Sequence, residues 1–332
     1  MSAPLAIDRA RPVRAGQELD TEALAAVLAA EAPWFTAAST GPLVVEQFGG
    51  GYSNLTYLLR GGEGPDAPEL VLRKAPLGAP GGVAHDMERE YRILRGLHPV
   101  YPRVPQPLAF HGDGEMSGAP FYLMERVRGV ILRGRPDEVA ALSEAAARGL
   151  SEALVDALAD IHRIDYRAAG LAELDRGPGY AARQITGWAK RYHAARTEDV
   201  PALEGAIAWL EERVASGGVT DHGPSLVHND FKFDNLVLDP SDPSRILAVL
   251  DWEMATVGDP LLDLGTTLGY WVDADDPPEL RRIIPPTMSV HPGSLRRRDV
   301  VARYEARTGT RVEDPVLLYV YGLVKVAGIA QQ

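Results

Sequence analysis

The chain has 332 residues, 45% of them apolar and 24% charged, with no cysteine and a net charge of −12 at pH 7. That length supports two lobes with a core each, and the composition is that of an ordinary water-soluble globular protein. The lack of cysteine excludes disulfides and thiolate metal sites, and the acidic balance excludes nucleic acid as the main partner, because that partner calls for a basic face.

Residues 1–18 read as an extended arm rich in Arg, Pro and Ala, with charges where a secretion signal would place its apolar core. No run reaches the roughly 18 apolar residues that a membrane span needs, so a cytoplasmic location without a membrane partner is expected. Asp20 is placed to cap a helix over 21–30. Strand patterns follow at 42–48 and 55–59, with Gly49, Gly50 and Gly51 between them. A hairpin tip without side-chain bulk lets backbone N–H groups approach a ligand closely. Residues 69–74 read as a third strand, on which alternation sends Arg73 and Lys74 to opposite faces. Met87, Tyr91, Leu94 and Leu97 fall at helical spacing over 85–97, and two more strand patterns stand at 108–111 and 120–124.

The remainder reads as mainly helical. A helix over 151–162 aligns Leu154, Leu158 and Ile161, and His162 beside that apolar face reads as packed structure. Amphipathic helices are expected at 180–196 and 201–214, with Trp188 and Trp209 on buried or substrate-facing sides. Asp259 is placed to cap another helix. The acidic residues Asp273, Asp275 and Asp276 and the basic run Arg296, Arg297 and Arg298 read as solvated surface. The last apolar run, 316–330, is interrupted by Lys325 and carries no stop signal, so the natural chain is expected to continue past Gln332.

Residues 226–263 organise all of this. They contain His228-Asn229-Asp230-Phe231-Lys232-Phe233-Asp234-Asn235 and, sixteen residues after Asn235, Asp251-Trp252. Apolar runs at 236–238 and 246–250 flank Asp239, Pro240, Asp242 and Pro243, a hairpin pattern with Asn235 at its start and Asp251 at its end. Two acids and an amide oxygen suit a hard cation such as Mg²⁺ holding phosphates. The order His-x-Asp-x-x-x-x-Asn is also that of a kinase-type catalytic loop. The stretch resembles the catalytic loop and metal-binding strand of the aminoglycoside/choline phosphotransferase family. Within that family it is most similar to the phosphotransferase domain fused to acyl-CoA dehydrogenases.

The resemblance implies an α+β, protein-kinase-like bilobal fold. A small β-rich N-lobe with one helix would occupy 1–124, a hinge 125–129, and a larger, mainly helical C-lobe 130–332. It implies ATP- and Mg²⁺-dependent transfer of the γ-phosphate to a small-molecule hydroxyl. Asp230 would orient that hydroxyl as the base, Lys232 would meet the transferred phosphate, and His228 would brace the loop. Asn235 and Asp251 would hold Mg²⁺, and Asp263 would brace the catalytic loop from the next helix. Gly50, Gly51 and Ser53 match the family's phosphate-contacting segment. Alignment of the third strand puts Arg73 at the phosphate-gripping position and leaves Lys74 facing solvent, with Glu90 as the partner of the cation. The Glu125 carbonyl and Val127 N–H would take the adenine. The fused branch favours a hydroxyacyl-CoA acceptor, and Arg183, Lys190, Arg191 and Arg196 would suit its anionic charge. An aminoglycoside or other small alcohol is the alternative, which Asp273, Asp275 and Asp276 would suit, and an inactive nucleotide-binding module is a further one.

Overall fold

The computed structural model describes residues 5–49, 54–76, 85–112, 118–197, 199–273, 275–278 and 287–331. The chain divides into two compact units, one of Ile7–Gly129 with Ala248–Met254, the other of Met1–Ala6, Val130–Leu247 and Ala255–Gln332.

The first unit is built on an antiparallel sheet. Its strands are β1 (Arg11–Pro12), β2 (Leu43–Gln47), β3 (Leu55–Gly61), β4 (Glu69–Lys74), β5 (Pro107–His111) and β6 (Phe121–Glu125), in the order β1-β2-β3-β4-β6-β5. Alternation along these strands sorts the side chains between two faces. Tyr57, Leu59, Leu70, Leu72, Phe121 and Leu123 face one way and pack on Leu24 and Leu28 of α1 (Thr21–Glu31) and Phe35 of α2 (Pro33–Ala38). Each such side chain contributes about 1.5–3 kcal/mol by leaving water. Asp20 caps α1 as its position suggested, accepting from the N–H groups of Glu22 and Ala23.

The opposite face meets α3 (Met87–Leu97), where Tyr91 stacks on Phe110 at 5.9 Å and lies 6.2 Å from Tyr122. Two helices, α1 and α2, and a sixth strand, β1, thus accompany the one helix and five strands legible between 43 and 124. Lys74 departs from expectation. It is 4% exposed rather than solvent-facing, because it shares its sheet face with Leu70 and Leu72, and α1 and α2 cover that face.

The second unit is mainly helical. It contains α4 (Pro136–Ala141), α5 (Glu144–His162), α6 (Tyr180–Ala195), α7 (Pro201–Ala215), α8 (Pro260–Gly269), α9 (Arg297–Thr308) and α10 (Pro315–Ala330). Strand β7 (Ser225–Val227) pairs antiparallel with β10 (Thr256–Gly258), and β8 (Leu236–Leu238) forms the expected hairpin with β9 (Ile246–Val249). Helix α5 starts seven residues before Ser151, the start legible in the sequence. Ser143 is the true cap, accepting from Ala146 N–H, while the Ser151 hydroxyl bonds back to the Ala147 carbonyl inside the helix. Helix α8 is buried along its whole length. Gly265 and Gly269 let it meet α10 backbone to backbone, and a Cβ on Gly322 would lie 2.0 Å from the Gly265 carbonyl oxygen.

Candidate active site

In the helical unit the chain leaves β7 at Val227 and turns through the loop that carries Asp230. Asn229 there has a left-handed backbone, φ 68°, one of two described non-glycine residues with positive φ. Such a conformation costs on the order of 1–3 kcal/mol and persists only where the surroundings over-determine it. Here they do. The buried Asp263 carboxylate accepts from the N–H of His228 and that of Asn229, both at 2.7 Å. His162 donates toward Asp263 (Nε2–Oδ2, 3.1 Å) and is itself held by the Tyr304 hydroxyl at 2.7 Å. Burial alone would push Asp263 up, but the His162 hydrogen bond and the charges of His162, His228 and Lys325 more than offset it, so its pKa is lowered. His228 is fully buried, and its Nδ1 accepts from the Asp230 N–H at 3.2 Å.

The Asp230 carboxylate is clasped from three sides. Lys232 Nζ donates to Oδ2 at 2.8 Å, Asn235 Nδ2 to the same oxygen at 3.1 Å, and the Tyr270 hydroxyl to Oδ1 at 2.6 Å. Lys232 also lies over the Tyr270 ring, 4.8 Å from its centroid. Asn235 further donates to the Asp230 carbonyl at 2.8 Å. Both of these bonds use the amide nitrogen, which leaves Oδ1 as the atom a hard cation would take.

In the sheet unit, Arg73 gathers three carboxylates. Its Nε lies 3.4 Å from Glu90 Oε2, and its Nη2 lies 3.0 Å from Asp251 Oδ1 and 3.4 Å from Glu253 Oε2. Burial alone would lower the pKa of Arg73, but Glu90, Asp251, Tyr122 and Glu253 hold it well above its ordinary value. Burial raises Glu90, an effect that Arg73 reduces. Asp251 is the second non-glycine residue with positive φ, 66°. Its segment is tied down by Val249 N–H to the Arg103 carbonyl (2.8 Å) and by Arg89 to the Glu253 carbonyl (2.7 Å). Asn54 donates to Glu253 Oε2 at 2.7 Å.

One guanidinium among three carboxylates leaves this cluster acidic. The Asp251 carboxylate here and, in the helical unit, the Asn235 amide oxygen are each of the hard oxygen type that Mg²⁺ takes, an ion that binds few protein oxygens and completes its shell with water and phosphate. When bound, the ion would neutralise phosphate charge.

The sequence placed Arg73 rather than Lys74 beside Glu90, and the ion pair forms there. Glu125 is exposed at the end of β6, its N–H donating to the Gln106 carbonyl at 2.8 Å. Val127 lies two residues further on, partly exposed. Gly50, Gly51 and Ser53 lie outside the described residues. Tyr270, Glu253 and Lys325 escaped sequence reading because a lone Tyr, Glu or Lys carries no spacing signal. The acidic and basic surface runs also differ from expectation. Arg296 pairs with Asp275, and Arg297 pairs with Asp276 and with Asp273 (3.6 Å). Arg183 donates to the Gly177 and Pro178 carbonyls, and Arg196 to Glu204 at 2.7 Å.

Residues 44–284 match the sequence profile of the phosphotransferase enzyme family abbreviated APH. The chain belongs to that family. Acyl-CoA dehydrogenase family member 11 of Gallus gallus is 36% identical over 262 residues, covering 78% of this chain and 32% of that protein. The APH-family chain therefore spans about a third of the length of that curated relative. Among solved structures, a candidate aminoglycoside phosphotransferase from Ralstonia eutropha is 31% identical, with a TM-score of 0.71 over 95% of this chain and 88% of that one. A thermostable mutant of aminoglycoside phosphotransferase APH(4)-Ia, in complex with AMP-PNP and hygromycin B, shares the fold at 17% identity. Its TM-score is 0.54, over 90% of this chain and 88% of that one. The fold is accordingly protein-kinase-like.

Proposed function

We propose that this APH-family chain moves the γ-phosphate of ATP, with Mg²⁺, to a hydroxyl group of a small molecule, and that the acceptor is a hydroxyacyl-CoA. The observation that carries the reading is the clasped Asp230 carboxylate. A carboxylate held by Lys232, Asn235 and Tyr270 cannot swing, so it presents a fixed acceptor to an arriving hydroxyl. Phosphoryl transfer needs positioning and charge stabilisation more than covalent help. Asp230 orients the acceptor hydroxyl and receives its proton. Lys232 follows the charge on the phosphoryl group, and His228 holds the loop. Asn235 and Asp251 hold Mg²⁺, whose chemistry is to neutralise the phosphate oxygens. Arg73, oriented by Glu90, meets the α and β phosphates. Gly50, Gly51 and Ser53 contact the phosphates, and backbone groups of Glu125 and Val127 take the adenine. In this scheme residues 1–124 bind the nucleotide, 125–129 act as the hinge, and 130–332 carry the catalytic loop and the acceptor site.

Kinship with an acyl-CoA dehydrogenase family member supports a CoA-linked acceptor. The pairing of Asp273, Asp275 and Asp276 with Arg296 and Arg297 removes the charge argument for a cationic aminoglycoside. An inactive module is disfavoured because Asp230, Asn235 and Asp251 are all present. We place the activity in the cytoplasm, where ATP and Mg²⁺ are abundant. Among the described residues no helix is long and apolar enough to cross a membrane. The test is a thermal-shift screen with ATP–Mg²⁺ and panels of hydroxyacyl-CoA, aminoglycoside and amino-alcohol, followed by mass spectrometry for a phosphate ester. Stabilisation and ester formation with the CoA panel alone is the expected result. Ester formation only on aminoglycosides would reassign the acceptor.

A further inference from the structure

Lys325 stands on α10, outside the 44–284 segment that matches the APH family, yet its side chain ends at the catalytic loop. It is fully buried. The ammonium donates to the Asn229 carbonyl at 2.7 Å, to Asn229 Oδ1 at 3.1 Å and to Thr266 Oγ1 at 3.2 Å, and it lies 5.6 Å from the centroid of the Trp188 ring. Three N–H donors meet three acceptors, a match that a neutral amine with two N–H groups cannot make. The residue it grips is the left-handed Asn229, immediately before Asp230. The Tyr180 hydroxyl holds the Asn229 side chain from the other side at 3.1 Å. Glycines make the reach possible. A Cβ on Gly322 would meet the Gly265 carbonyl, and one on Gly328 would come within 3.1 Å of the Trp188 ring.

We propose that Lys325 is a positioning residue for phosphoryl transfer: from the C-terminal helix it locks the left-handed turn at Asn229 and thereby aims Asp230. The proposal rests on the reading of Asp230 as the catalytic aspartate. The charged groups that act on the ammonium are Asp263 from α8, Asp230 and Lys232 from the loop region, and Arg191 from α6. Burial pushes the pKa of Lys325 down to about 8, against the support of Asp263 and Asp230. A lowered value means that the unfolded chain binds the proton more tightly than the fold does. Stability therefore gains as pH rises through about 8, while the third hydrogen bond is lost over the same range.

The test is hydrogen–deuterium exchange of the 226–236 segment in the full chain, comparing wild type, Lys325→Met and Lys325→Arg. Melting temperature and ADP release from ATP–Mg²⁺ are measured beside it. Lys325→Met is expected to exchange faster at 228–232, to melt no lower than wild type, and to lose about 10²-fold in kcat with KM for ATP held, the scale of a misplacement near 1 Å. Lys325→Arg should recover part of the protection. Unchanged loop protection in folded Lys325→Met overturns the grip on Asn229. Faster exchange with unchanged ADP release overturns the link to catalysis. If Lys325→Met does not fold, wild-type protection followed through pH 8 decides: selective loss in the loop supports the proposal and uniform protection overturns it. If Asp230→Asn itself leaves ADP release intact, the fault lies in the catalytic reading.

Discussion

Arg73 is the residue on which the nucleotide half of the account turns. Its guanidinium offers a planar fork, and the structure spreads that fork over Glu90, Asp251 and Glu253. Removing it would leave Glu90 buried without its cation. Arg73→Ala should therefore weaken ATP binding markedly and cost roughly 3–5 kcal/mol of stability, read from nucleotide titration and denaturant unfolding. Arg73→Lys should recover only part of either, because a point charge cannot span three carboxylates. Lys74→Met should leave ATP affinity at the wild-type level, since Lys74 belongs to the face covered by α1 and α2. Equal loss of affinity in Arg73→Ala and Lys74→Met would contradict the assignment. Alternation was enough to separate the two lysine and arginine faces from sequence. It could not show that both faces of the sheet are covered, because α2 has no apolar pattern long enough to reveal itself and the packing partner of α1 lies far along the chain.

Elements explain why the catalytic loop holds its shape. Helix α8 supplies Asp263 and α10 supplies Lys325 directly to residues 228 and 229, while His162 of α5, held by Tyr304 of α9, fixes Asp263 from behind. Backbone contact between α8 and α10 is part of that arrangement. Gly322→Ala forces a methyl group against the Gly265 carbonyl and should destabilise by about 1–3 kcal/mol, the scale of overpacking, measured as a fall in melting temperature. An unchanged melting temperature would mean the helices stand further apart than described. Acid sensitivity follows from Asp263. Its folded pKa is lowered below the ordinary 3.8, so its contribution is present above that value and is lost as pH falls through the lowered one. Asp263→Asn should flatten that acid limb in urea midpoints followed against pH. The motif order His228, Asp230, Asn235 and the Asp259 cap were legible because spacing and turn chemistry are local. Tyr270 and Lys325 were not, since they reach the loop through tertiary packing that no local pattern encodes.

At the scale of the molecule, the family match, the kinase-like fold and the clasped carboxylate support one chemical reading: γ-phosphate transfer to a hydroxyl, with Asp230 as the orienting base. Asp251→Ala should abolish the Mg²⁺-dependent part of the ATP thermal shift, because it removes the carboxylate assigned to the ion, and an undiminished shift would remove Asp251 from the metal site. The central claim is tested most directly by transfer of label from [γ-³²P]ATP in the presence of Mg²⁺ to a panel of hydroxyacyl-CoA acceptors, run side by side with wild type and Asp230→Asn. The account predicts a labelled phosphate ester from wild type and a yield lower by about 10²–10⁴-fold from Asp230→Asn, with ATP binding retained. Equal label transfer by the two proteins, or none by wild type while ATP–Mg²⁺ binds, would contradict it.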